Sequence, residues 1–341
     1  MTRHALYFTE PHRVSLREEA ISPPGPGQVL VKTLMSAISP GTELLIYRGE
    51  APQDLVADTS IAALEGTLAF PLKYGYAAVG RVAEVGQEVP AFWQEKLVFA
   101  FHPHESLFLA APEELLPVPP GLAPEEALFL PNMQTAVTLI LDGKPLIGEK
   151  VAVFGQGIVG LLVTALLAGF PLAKLVTLDR YPNRRLASET LGAHASFDPL
   201  TSTVLEDLRA VLSDQGQDPW ADLAFEVSGN PAALDQALAI TGFHGRIVIG
   251  SWYGTKKSEL HLGGLFHRQR QMLRSSQVST LAPELSGRWT RSRVFQVAWD
   301  MVQQIKPAQF ITHRFPLAEA AQAYRLLDQN PGEAIQVVLT Y

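Results

Sequence analysis

Val151-Ala-Val-Phe-Gly-Gln-Gly-Ile-Val-Gly160 decides the fold of this chain: an apolar, strand-like run opens through Gly155, Gly157 and Gly160 straight into an apolar helix. In a dinucleotide-binding strand-turn-helix unit each glycine has its own physical reason. Gly155 permits the tight turn, Gly157 lets the backbone approach a pyrophosphate, and Gly160 lets the helix pack closely on the strand. The N–H groups from Gln156 through Ile158 and Val159 then face the phosphates at the helix N-terminus. The next apolar run, Lys174 to Leu178, ends at Asp179, 19 residues past Gly160. An acidic side chain there accepts hydrogen bonds from an adenosine ribose.

The same stretch has a competing reading as a membrane span, because Val151 to Ala173 is 23 residues without a formal charge, long enough to cross a bilayer. Gly155, Gln156, Gly157 and Pro171 interrupt it, and Lys150 and Lys174 lead at once into further strand and helix pattern. A helix packed on a sheet in an α/β domain is also apolar nearly all round.

From Gly155 onward strands and helices alternate, which requires a parallel sheet with crossover helices. Strands are predicted at Lys150 to Phe154, Lys174 to Leu178, Ala195 to Phe197, Asp222 to Val227 and Gly245 to Gly250, with Met272 to Ser275 as a sixth. Helices fall between them at Gly157 to Gly169, Pro182 to Leu191, Thr201 to Leu212 and Pro231 to Ile240. Six such strands make a doubly wound Rossmann sheet with the ligand crossing its carboxyl edge, beside Val227, Ser228, Ile249, Gly250, Ser251 and Ser275. The first 130 or so residues instead carry short alternating runs broken by Gly and Pro, such as Gln28 to Lys32, Gly80 to Gly86 and Lys96 to Phe101. That is an antiparallel pattern. A proline-rich linker, Ala111 to Gly121, leaves it, and after Ser276 come two helical patterns, Arg291 to Ile305 and Leu317 to Leu327, and a final strand, Ala334 to Tyr341.

With 341 residues the chain holds about two domains. Hydrophobic residues make up 47% and charged residues 18%, a globular profile rather than a disordered one. The net charge of −7 offers no overall field for nucleic acid or an anionic membrane. No signal peptide is visible in Met1 to Phe8, so a soluble, cytoplasmic protein is expected. Cysteine is absent, which removes disulfides, thiolate nucleophiles, iron–sulfur ligation and thiolate zinc sites together.

Several stretches carry a family resemblance: Ile38-Ser-Pro-Gly-Thr-Glu-Leu44, Gly75-Tyr-Ala-Ala-Val-Gly-Arg-Val82, Gly155 to Gly160, Phe225-Glu-Val-Ser-Gly-Asn230, and the tail Ile311 to Leu317 leading to Val337 to Tyr341. Over nearly its whole length the chain resembles the medium-chain dehydrogenase/reductase family, the zinc alcohol dehydrogenase-like fold. The segment after Thr42-Glu43 and the Gly75-Tyr76 pair are similar to its branch containing bacteriochlorophyllide dehydrogenase. The resemblance implies an α/β chain with two domains: a β-rich, GroES-like catalytic domain over 1–130 and 277–341, and a Rossmann domain over 131–276. It also implies NAD(P)-dependent hydride transfer between nicotinamide and a small alcohol or carbonyl substrate, a homodimer paired through Gly263 to Ser275, and substrate in a cleft between the domains.

The departures from that family matter more than the matches. Zinc-dependent relatives hold the metal by a Cys in the early loop, a Gly-His-Glu turn and a second Cys before the cofactor domain. Here those positions fall at Ser39 or Pro40, at Tyr76-Ala77 and near Pro131, so no metal ligand remains, and Phe101-His-Pro-His-Glu105 replaces the structural zinc lobe. A metal on His102, His104 and Glu105 is the sharper reading of that stretch; ordinary polar surface or a substrate contact is the plainer one.

Without zinc, a hydrogen-bond donor must stabilise the substrate oxygen. Tyr76 is the first candidate, because it occupies the turn that faces substrate in the relatives and a phenol can donate. Ser39, Thr42 and His102 follow, then Asn132 and Gln134. The plainer readings make Tyr76 a pocket wall and Thr42-Glu43 a helix cap. On the cofactor side Asp179 favours NAD, since a carboxylate repels a 2′-phosphate, while Arg180, Arg184 and Arg185 keep NADP open. Gln336 stands where relatives place a basic pyrophosphate contact. Reduction of an activated C=C bond or quinone, and a nucleotide-binding role without catalysis, are the competing functions.

Overall fold

Alternating buried and exposed side chains lay down the first strands, and residues 1–213 and 218–341 are described by a computed structural model. β1 (Thr2–Glu10) and β2 (Arg13–Ala20) form a hairpin that the sequence patterns did not single out. There follow β3 (Val29–Ala37), α1 (Pro40–Tyr47), β4 (Leu72–Lys73), β5 (Ala78–Val85), β6 (Leu97–Ala100), β7 (Leu107–Ala110) and β8 (Leu115–Pro117). Gly80 in β5 is obligatory, because a Cβ there would stand 2.5 Å from the Lys32 carbonyl oxygen on β3. Helices α2 (Pro124–Ala127) and α3 (Leu130–Gly143) lead out of this region.

β9 (Lys150–Phe154), α4 (Ile158–Leu167), β10 (Lys174–Leu178), α5 (Pro182–Thr190), β11 (Ala195–Phe197), α6 (Val204–Leu212), β12 (Ala221–Glu226), α7 (Pro231–Ile240), β13 (Thr241–Ile249) and β14 (Met272–Ser275) then build one parallel sheet. Its order is β11-β10-β9-β12-β13-β14, the doubly wound arrangement in which the first strand lies at the centre and the order reverses beside it. β9 is buried along its whole length, as a central parallel strand must be. Several ends differ from the sequence expectation, three of them for a visible reason. α4 begins one residue later, because Gly157 is the extended N-cap at φ −66°, ψ −177°. α6 begins at Val204 after a turn in which the Val204 N–H bonds to the Thr201 carbonyl. β13 begins at Thr241, paired with Ala221 across a register shift.

The chain ends through α8 (Arg291–Ile305), β15 (Ile311–Pro316), α9 (Ala320–Gln329) and β16 (Gln336–Thr340). Two compact units result, Met1–Pro131 with Trp299–Tyr341, and Asn132–Ala298. The second join lies inside α8, whereas the resemblance implied one at 276/277. In the first unit β15 and β16 extend the large sheet to the order β15-β16-β3-β5-β6-β8, with β7 on β3, while β2-β1-β4 forms a second sheet. Phe8, Ile38, Leu45, Ile46, Tyr324, Val337 and Leu339 pack into one buried cluster there. Burying each such large side chain contributes about 1.5–3 kcal/mol. Among the described residues no helix is long and apolar enough to cross a membrane.

Candidate active site

In the second unit the glycine turn is built by exclusion. Gly155 takes φ +93°, and a Cβ on it would lie 2.5 Å from Ser228 Cα. A Cβ on Gly160 would lie 1.9 Å from the Gly155 oxygen, so the first turn of α4 rests directly on the loop. Gly157 is different: only the end of Arg184, 4.0 Å away, comes near its absent Cβ. The space before Gly157 and the first N–H groups of α4 therefore suits an anionic ligand, and the residues present fit a dinucleotide. Gln156 turns its side chain inward, its amide donating to the Gly155 oxygen at 3.0 Å and accepting from Thr164 Oγ1 at 2.9 Å.

Asp179 follows directly on β10 and is only 7% exposed. Its Oδ2 accepts the Gln156 N–H and its Oδ1 the Tyr181 N–H, at 2.8 and 2.9 Å. Arg184 Nη1 lies 3.9 Å from Asp179 Oδ2, and burial lowers the pKa of this guanidinium from its ordinary value. Arg180 is exposed over the Tyr181 ring. Arg185 donates to the Asp179 carbonyl.

Beyond β12 the loop ends gather on Glu226, a fully buried carboxylate. It accepts the Ser228 N–H at 2.8 Å and the hydroxyls of Ser228 and Tyr253. The Glu226 carbonyl accepts from the N–H groups of Gly250 and Ser251, and Ser251 Oγ accepts from Gly229 N–H. Val227, Ser228, Gly250 and Ser251 are thereby tied into one knot next to Ile249, and Ser275 is exposed at the end of β14. The organising role of Glu226 and Tyr253 was missed. Its one sequence signal is an acid at the carboxyl end of an otherwise apolar strand.

In the first unit three half-buried hydroxyls converge. Ser39 occupies the N-cap position of α1 and Thr42 its first turn, and the Tyr76 hydroxyl donates to Ser39 Oγ and, at 3.3 Å, to Thr42 Oγ1. Burial raises the Tyr76 pKa above the ordinary phenol value, with Glu43 and Asp58 adding to it and the two hydroxyls opposing. Tyr76 is therefore a neutral donor around pH 7. Beneath it lies a fully buried pair, Glu43 and His104. Glu43 Oε1 accepts the Ser39 N–H at 2.8 Å, and its Oε2 lies 3.0 Å from His104 Nε2 and accepts from Tyr324. His104 Nδ1 meets Ser36 Oγ at 2.7 Å, which in turn meets the Tyr341 hydroxyl at 2.8 Å.

The stretch His102 to Glu105 is not polar surface, because each side chain is committed to a protein partner. Glu105, 1% exposed, accepts from Arg3 and Lys73. Burial nevertheless raises its pKa against these two cations. His102 stacks on Phe108 with ring centroids 3.9 Å apart, and burial drives its pKa down to about 3. It is not hydrogen-bonded to the Ser39, Thr42 and Tyr76 hydroxyls. Gln336 is buried as well, its amide donating to the Ile38 and Val337 carbonyls. Asn132 and Gln134 are buried in α3.

At the metal positions of the relatives, the Ser39 and Tyr76 hydroxyls bond to each other, and Pro40, Ala77 and Pro131 offer no side-chain ligand. Zinc takes thiolate, imidazole and carboxylate ligands, so this set does not fit it. Among the described residues no three His, Asp or Glu side chains gather where a metal could be held.

Residues 159–292 match the family of zinc-binding dehydrogenases. Along its full length the chain is 26% identical to the zinc-type alcohol dehydrogenase-like protein YphC of Escherichia coli K12, covering 99% of that protein. Both likenesses are to zinc-type alcohol dehydrogenase-like proteins. Like the dehydrogenases it resembles, it is an oxidoreductase. It is also similar to (R,R)-butanediol dehydrogenase of Bacillus subtilis, 28% identical over 72% of this chain and 76% of that one. In fold it matches a short chain alcohol dehydrogenase (rspB) from Escherichia coli CFT073, solved in complex with NADH, at a TM-score of 0.79 and 18% identity, covering 100% of this chain and 99% of that one.

Proposed function

We propose that this protein moves hydride between NAD(P) and an alcohol or polyol carbon, or its carbonyl counterpart, and handles the substrate oxygen with hydroxyls instead of a metal. The observation that carries this reading is Tyr76, a neutral phenol already donating to Ser39 and Thr42 where relatives hold zinc. When bound, the nicotinamide accepts or supplies the hydride. The first N–H groups of α4 hold its pyrophosphate, and Asp179 meets the adenosine ribose. Tyr76 exchanges Ser39 for the substrate oxygen and donates to it, giving its proton to the alkoxide in reduction and regaining one from water. Ser39 and Thr42 keep that phenol aimed and solvated. A donor of high pKa releases its proton only to a strongly basic oxygen, which an alkoxide is and a carbonyl is not.

The test is metal analysis joined to a substrate panel. Enzyme dialysed against a strong chelator is expected to hold far less than one zinc per chain and to keep its NAD-linked turnover of secondary alcohols and ketones. Activity that vanishes with the chelator and returns with zinc would overturn the metal-free part. NADH consumption by enones or quinones alone would replace the alcohol reading with C=C or quinone reduction.

A further inference from the structure

Two observations outside the hydroxyl cluster converge on its two principal members. Glu43 Oε1 holds the backbone N–H of Ser39. The His104 ring lies directly beneath Gly75, where a Cβ would come within 2.8 Å of Nε2. Ser39 and the neighbour of Tyr76 are thus gripped by two side chains that are themselves joined at 3.0 Å in a site closed to water. Neither Glu43 nor His104 bonds to the Tyr76 hydroxyl, so neither can relay its proton.

We propose that the buried Glu43–His104 pair is the positioning device of this site, fixing the Ser39 and Tyr76 hydroxyls relative to each other from below. Glu43 sets Ser39 through its amide. His104 sets the Gly75 backbone, and with it the direction in which Tyr76 leaves the chain. Ser36 and Tyr324 hold the pair in place by occupying its outer hydrogen-bonding positions. Gly75, at φ +122°, is needed for the same reason: a side chain there would push the backbone next to Tyr76 off the His104 ring. The inference deepens the reading of Tyr76 as the donor to the substrate oxygen and rests on it for its catalytic meaning.

The test uses the full-length enzyme labelled with 13Cζ-tyrosine. Eight tyrosines give eight signals, and that of Tyr76 is assigned by its loss in Tyr76→Phe. Glu43→Asp keeps a carboxyl group but cannot span from the Ser39 amide to His104; His104→Leu removes the ring; Glu43→Gln keeps an oxygen for Ser39. The Tyr76 signal is expected to move in the first two and to stay near its wild-type position in the third. With (R,R)-2,3-butanediol and NAD as probes, kcat is expected to fall about tenfold or more in Glu43→Asp, since misplacement of about 1 Å can cost that much. The KM for NAD should not change. A Tyr76 signal unmoved in Glu43→Asp would overturn the proposal whatever happens to thermal stability, and that variant decides alone if His104→Leu does not fold. A wild-type enzyme inactive on the probe and every other alcohol would instead sink the functional reading, leaving the tyrosine signal to decide the positioning role.

Discussion

In the proposed reading Tyr76 does what a metal would otherwise do, and a phenol and a zinc ion stabilise an oxyanion in different ways. A phenol supplies one directional hydrogen bond, so removing its oxygen removes the whole effect. Tyr76→Phe is expected to lower kcat by roughly 100-fold while leaving NADH affinity within error; normal turnover in that variant would reduce Tyr76 to a wall of the pocket. Asp179 is the second decisive residue. Both its oxygens already accept backbone N–H groups, which fix the carboxylate in place. NADH should therefore bind more tightly than NADPH, and Asp179→Ser should narrow or reverse the preference in calorimetry. If the preference survives the substitution, the neighbouring Arg180 and Arg184 control the choice.

At the level of elements, the segment around His102 is a short stretch of chain that ties strands together. Ser106 N–H bonds to the His4 carbonyl, Thr33 Oγ1 to the Glu105 carbonyl, and Leu6 N–H to the His104 carbonyl, lacing β1 and β3 together through buried polar groups. His102 is held neutral there, first by burial, with Lys73 and Arg3 adding repulsion to its charged form. Its folded pKa of about 3 lies below the unfolded value of 6.5. As the pH falls below 6.5 the unfolded chain takes up a proton that the folded chain refuses, so stability declines with acid. By pH 5 the linkage costs ~2 kcal/mol. His102→Phe preserves the ring stack on Phe108 and should flatten the denaturation midpoint between pH 7 and pH 5 relative to wild type. Parallel curves for the two proteins would count against this assignment.

For the whole molecule, the parallel sheet ends on β14, whose outer side has no partner strand among the described residues and whose Met272 is 39% exposed. An open edge with apolar side chains is a template for a second copy. A dimer is expected in light scattering at micromolar concentration, with Arg274→Pro shifting it toward monomer; a wild-type monomer would refute the pairing.

What the sequence determined by itself was everything written in local periodicity. The glycine spacing from Gly155 to Gly160, the strand runs ending at Phe154 and Leu178, and the proline-started helices α5 and α7 fixed the Rossmann sheet. Tyr76 and Ser39 were legible as candidates because their positions could be counted against a known pattern. Only the tertiary structure decided what lies beneath them. Tyr324 reaches Glu43 across 281 residues and Tyr341 reaches Ser36 across 305, and no period of 2 or 3.6 encodes such pairs. It also decided the fate of the histidines, since whether His104 faces water or a buried carboxylate depends on which strands close over it. Glu226 was hidden for the same reason: a charge at a strand end is surface or linchpin according to the loops that fold back on it, and those meet only when the sheet is complete.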